Sequence, residues 1–148
     1  MDKTTVHAVV VQEVSRRMHQ LNELLQDAFD ATANESKSSA GDKHETSRAM
    51  AQLEQEKIGG QLIEMTKLHT ILQRIQPTFV SDSIQLGSLV ETSSGWFYIS
   101  VGIGILNVAG TNLFCITPNA PVGKLLMGKK VQDSIEFNGN PTQILQLL

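Results

Sequence analysis

Apolar residues in the first half of the chain recur at spacings of three, four and seven. Val11, Val14, Met18, Leu21, Leu25 and Ala28 form the series, and Glu13, Arg16, Arg17, Gln20, Glu23 and Gln26 fill most positions between them. This is the period of a helix with one apolar seam, not the alternation of a strand. No proline or glycine interrupts it from Thr4 to Ala33, so the pattern predicts a helix of about 28 residues, roughly 40 Å long. Only the β-branched run Val9-Val10-Val11 opposes it, at its start. A second seam, from Glu45 to Ile75, passes through Ala51, Ile58, Leu62, Met65 and Leu68. Gly59-Gly60 interrupts its propensity at a cost of about 1 kcal/mol per glycine. The pair marks either a kink or a close approach of the neighbouring helix. Because the seam continues on both sides, close approach is the preferred reading.

Between the seams, residues 34–41 (Asn-Glu-Ser-Lys-Ser-Ser-Ala-Gly) are small and polar and end in glycine, the composition of a connection. Two seams of similar length joined by a short turn pack as an antiparallel hairpin, with the turn at its far end. Residues 1–76 are therefore expected to form a helical hairpin whose polar tip lies near 34–46.

The pattern changes at Gln76-Pro77, since proline disfavours helix in the residue before it. Short apolar or alternating runs follow at 84–90, 96–101, 103–108, 112–116, 132–137 and 142–147. Residues 91–95 (Glu-Thr-Ser-Ser-Gly) suit a hairpin turn. Residues 120–127 read as one short helix, with Pro121 in its first turn. The predicted class is α+β: the helical hairpin, then a domain over 77–148 with an antiparallel sheet of about five strands and one helix packed on it. Trp96, Phe97 and Phe114 are expected in its core.

Composition narrows the function classes. The chain has 148 residues, 41% of them hydrophobic, and a formal net charge of -3. Residues 1–75 carry nine Lys/Arg against eleven Asp/Glu, and residues 76–148 three against four. Neither half has the excess of cations that independent DNA binding requires. Cys115, the one cysteine, sits in an apolar run and reads as a buried thiol, without disulfide or cysteine-metal chemistry. No stretch reaches the length of a membrane span, so a cytoplasmic location is expected. No glycine-rich phosphate loop, metal-spaced histidine pair or nucleophile motif is present.

The tip carries the candidate chemistry. Asp42 and Glu45 are three apart. One reading makes them a cap on the second helix, with Asp42 at the N-cap and Glu45 as its partner. The other uses their spare oxygens to hold a divalent cation weakly, because two carboxylates supply too few ligands for a tight site. His44, between them, is either a solvated histidine or a participant in metal contact or proton transfer. Lys129-Lys130 is either a solvated pair or a dock for an acidic partner.

Two segments resemble the GreA/GreB family of bacterial transcript cleavage factors. Residues 84–90 (Ile-Gln-Leu-Gly-Ser-Leu-Val) are similar to the first strand of that family's C-terminal domain. Residues 116–136 (Ile-Thr-Pro-Asn-Ala-Pro-Val-Gly-Lys-Leu-Leu-Met-Gly-Lys-Lys-Val-Gln-Asp-Ser-Ile-Glu) resemble its turn, short helix, Gly-Lys and closing strand. Gly41-Asp42-Lys43-His44-Glu45, followed by Gly60, is similar to its tip and second helix. The resemblance spans roughly residues 6–148. It implies an FKBP-like C-terminal domain that docks on RNA polymerase through Pro118, Pro121, Lys124, Lys129 and Lys130. It also implies a tip that enters the secondary channel, where Asp42 and Glu45 help hold Mg²⁺ so that backtracked nascent RNA is cut. On this reading the protein is an accessory factor, not an enzyme by itself. Lys43 and Thr46 stand where the family usually has leucine and asparagine, and a lysine beside a metal-binding pair weakens cation capture. A regulator that occupies the channel without stimulating cleavage is therefore the alternative. A protein-binding or chaperone-like module is the third reading.

Overall fold

The computed structural model describes residues 1–35 and 41–148, the side chains of residues 35 and 41–44 excepted. It contains helix α1 (Lys3–Glu35) and helix α2 (Gly41–Arg74), then six strands and a third helix. The strands are β1 (Leu89–Thr92), β2 (Gly95–Ile99), β3 (Gly104–Val108), β4 (Thr111–Ile116), β5 (Ser134–Phe137) and β6 (Asn140–Leu147). Helix α3 (Pro121–Leu126) lies between β4 and β5. A helical hairpin followed by a sheet with one short helix is the predicted architecture. The chain divides into two compact units, Glu13–His69, and Met1–Gln12 together with Thr70–Leu148. The start of α1 and the end of α2 are thus grouped with the sheet in one unit.

In the helical unit, the buried or half-buried positions of α1 include Val14, Met18, Leu21, Leu25, Ala28 and Thr32. They alternate by four and three, an average of about 3.5 residues, as in a supercoiled pair. On α2 the matching positions are Ala51, Gln55, Ile58, Leu62 and Met65. Gln55 Nε2 donates to Thr32 Oγ1 at 2.8 Å and to the Ala28 carbonyl at 3.3 Å, which fixes the antiparallel register. The glycine pair does not mediate close approach, contrary to the expectation above. A Cβ built on Gly59 or Gly60 meets nothing within 4 Å, and α2 continues through both as helix.

In the sheet unit the strand order is β3-β4-β2-β1-β6-β5. Four of the five strand contacts are antiparallel, whereas β2 and β4 are parallel. The segment after β2 skips one strand position to reach β3. A two-residue turn, Ala109 and Gly110, both at positive φ, then returns the chain as β4 into the gap. The expected strand at 84–90 is formed only from Leu89 onward. Ahead of it, Ser88 N–H bonds back to the Gln85 carbonyl and Gly87 takes φ +92°, so a turn displaces the ladder. Ile84 instead exchanges backbone hydrogen bonds with Gly128 and Lys129.

One sheet face packs Val90, Ile99 and Ile144 with Ile135, Ile84 and Leu126 of α3. Phe97 and Phe114 are half-buried and stack with centroids 5.1 Å apart, and Trp96 is half-buried rather than enclosed. Cys115 is buried and in no disulfide. On the other face, Leu89 pairs with Tyr98, and the start of α1 supplies Val6 and Val10, both fully buried. His7 Nδ1 and Tyr98 Oη share a 2.7 Å hydrogen bond there. Burial pushes the His7 imidazole below its ordinary pKa and the Tyr98 phenol above its own. Both are thereby favoured in neutral form, and the imidazole tautomer sets which of the two donates.

Candidate functional site

The predicted acidic pair lies at the start of α2. The helix begins at Gly41, which places Asp42 inside its first turn rather than at the N-cap position expected from sequence. Positions 42 and 45 are three apart in one helix and therefore neighbours on its surface. Glu45 is exposed. The side chains of Asp42, Lys43 and His44 lie outside the described residues, as do residues 36–40, where most of the predicted connection falls. Among the described residues no three His, Cys, Asp or Glu side chains gather as metal ligands.

The second candidate surface surrounds α3. Thr117 receives the N–H of Ala120 on both its hydroxyl and its carbonyl, 3.1 Å each, and so turns the chain into the helix. Pro121 occupies the first helical turn, where its missing N–H costs nothing. A Cβ on Gly123 would lie 2.2 Å from the Thr117 carbonyl oxygen. Only glycine lets the helix lie this close to the preceding turn. This gives a physical reason for the glycine inside the motif that carries the family resemblance.

Pro118 is half-buried, while Pro121, Lys124, Lys129 and Lys130 are exposed. Lys124 lies on α3, and the turn after it holds the other two lysines. There, Lys130 N–H donates to Asp133 Oδ2 at 2.8 Å and Asp133 N–H returns to the Lys130 carbonyl. Among the described residues none of the three lysines makes an ion pair. The segment thus offers three solvated cations on a backbone held by its own turn, a suitable surface for a carboxylate-bearing partner.

Sequence reasoning did not single out Lys3 or His7. Their partners, Phe79 and Tyr98, lie 76 and 91 residues away, beyond any local pattern. No described helix is long and apolar enough to cross a membrane.

No protein-family model matches the chain, and no curated protein matches it. Among solved structures it is similar to that of the transcription factor Gfh1, at 18% identity over 93% of this chain and 92% of the other, with a TM-score of 0.37.

Proposed function

We propose that the chain is a Gre-like transcription factor that binds RNA polymerase, with its FKBP-like sheet unit docked through the α3 segment and its hairpin turn acting in the secondary channel. The motif at residues 116–136 carries the reading, supported by its conformation: a glycine-dependent turn and helix followed by solvated Lys129 and Lys130. The antiparallel hairpin ending at an acidic first turn supports it further.

Asp42 and Glu45 are proposed to act together and only within the polymerase. Two carboxylates meet part of the oxygen-ligand demand of Mg²⁺, and the remaining ligands come from the polymerase and the RNA. The bound ion would stabilise charge on the cleaved phosphate and lower the pKa of an attacking water. The chain's own contribution is to place two negative charges and orient the water by hydrogen bonding. His44 is kept as a proton-transfer candidate beside them.

Lys43 favours a second reading, in which the factor occupies the channel and regulates without stimulating cleavage. A cation between the two carboxylates offsets part of the field that attracts Mg²⁺. The protein-binding module has weaker support. Its support is the exposed apolar residues of the two helices, Leu24 and Phe29 on α1 and Met50, Leu53 and Ile63 on α2.

A cleavage assay on a stalled, backtracked elongation complex from the same organism tests the proposal. Binding with accelerated cleavage supports the leading reading. Binding with no acceleration at any Mg²⁺ concentration selects the regulator, and no binding by the folded protein refutes both.

A further inference from the structure

The sheet unit contains a cavity of about 220 Å³ lined by Lys3, Arg74, Ser81, Gln85 and Ser88 among others. Its chemistry is one-sided. Lys3 is only 7% exposed, yet among the described residues its ammonium meets no carboxylate; it donates to the Phe79 carbonyl, leaving two of its three N–H groups unused. The neighbouring carboxylate, Asp2, accepts from the N–H and hydroxyl of Thr5, capping α1. Arg74, on the last turn of α2, makes no ion pair among the described residues. No aspartate or glutamate lines the cavity.

The hydroxyls add to this excess of donors. Ser88 Oγ accepts the Gln85 N–H at 3.0 Å, and Ser81 Oγ accepts the Ser83 N–H at 3.3 Å. Each keeps its own O–H to give. A buried cation without a counter-charge is costly, and burial accordingly pushes the Lys3 pKa down. An entering anion would relieve that cost. A carboxylate satisfies the two cations but offers only two oxygens, whereas a tetrahedral phosphate can accept from cations and hydroxyls on several sides at once.

We propose that this cavity binds a phosphate group, held by Lys3 and Arg74 and oriented by the Ser81 and Ser88 hydroxyls. The site is independent of the polymerase reading, since it involves neither the hairpin turn nor the α3 segment. The phosphate is either free or the terminal group of a small ester.

Titration calorimetry of the full chain tests this, with inorganic phosphate and ribose 5-phosphate as separate probes and sodium chloride at matched ionic strength as control. Saturable one-site binding of either probe is expected, and the tighter one identifies the source. Arg74→Gln, a change at an exposed helix end, should weaken binding by about ten-fold or more while leaving the circular dichroism spectrum unchanged. Lys3→Met should abolish binding. If Lys3→Met fails to fold, Arg74→Gln still decides. Absence of saturable heat for both probes up to about 10 mM, or undiminished binding by Arg74→Gln, would overturn the proposal.

Discussion

Gln55 and Thr32 face each other across the helical seam, with the amide of one donating to the hydroxyl of the other at 2.8 Å. Thr32 Oγ1 in turn donates to the Ala28 carbonyl at 3.0 Å, and Gln55 reaches the same carbonyl. A polar pair in an otherwise apolar seam specifies register, because any slip would leave the amide against hydrocarbon. Thr32→Val should cost about 1 kcal/mol, since the Gln55 amide loses its better acceptor. Adding Gln55→Leu should recover most of that loss. Urea denaturation of the two single variants and the double variant, followed by helical circular dichroism, gives the coupling directly. Additive single effects would show that the pair contributes nothing.

Two kinds of glycine should respond in opposite directions. Gly59 and Gly60 lie in helix with open space where a Cβ would go. Alanine at either should stabilise the protein by roughly 0.5–1 kcal/mol. Gly123→Ala forces a methyl group against the Thr117 carbonyl, so a loss of more than about 2 kcal/mol, or failure to fold, is expected. Melting temperatures of the three variants check both signs.

Acid should act on stability in two separate windows. Burial holds the His7 pKa below its ordinary 6.5. Its contribution is therefore complete above 6.5 and is lost as pH falls through the lowered folded value. Glu13, hydrogen-bonded by Arg16 and then by Arg17, is lowered from 4.5 to about 2. Its contribution is complete above 4.5 and is lost as pH falls toward 2. His7→Gln should flatten only the first window and Glu13→Gln only the second, when unfolding free energy is measured against pH. A His7→Gln profile parallel to wild type throughout would show that His7 does not titrate on unfolding.

The tip variants separate the functional readings. Asp42→Asn keeps a hydrogen-bond acceptor and removes a charge, so folding should be little changed. If the pair recruits Mg²⁺, cleavage stimulation should fall about ten-fold or more, about 1.4 kcal/mol per decade, with polymerase binding preserved. Lys43→Leu removes the opposing cation and should lower the Mg²⁺ requirement. Cleavage rates of both variants across Mg²⁺ concentrations measure this, and an unchanged Asp42→Asn rate would leave the carboxylate with a structural role alone.

What the sequence reveals here depends on how far apart interacting residues lie. The seam from Val14 to Ala28 is legible because a helix repeats its burial every few residues, and the Glu91–Gly95 turn is legible because its partners are adjacent. Ile84–Val90 has the hydrophobicity of one strand, but Gly87 at positive φ and the Gln85–Ser88 turn end it early. The parallel β2–β4 pairing depends on a strand skipped and later filled, which no local pattern encodes. Gly59-Gly60 misled for a related reason: composition cannot distinguish a close contact from open space. At the tip, the pattern yields residue types and a spacing of three, whereas metal capture, on the proposed reading, would depend on groups outside this chain.

Strand β6 lies between β1 and β5, and Leu148 exchanges backbone hydrogen bonds with Leu89 in both directions. On the ribosome, β1 and β2 therefore emerge well before the strand that covers the open edge of β1. Val6, Val10 and His7 emerge earlier still, before Tyr98 exists to receive them. The helical unit can form as soon as its own residues are out, but the sheet unit has to wait for β6 to be made. A pause in translation just ahead of β6 would leave an unpaired strand edge and an apolar helix end available to chaperones, and to other nascent chains.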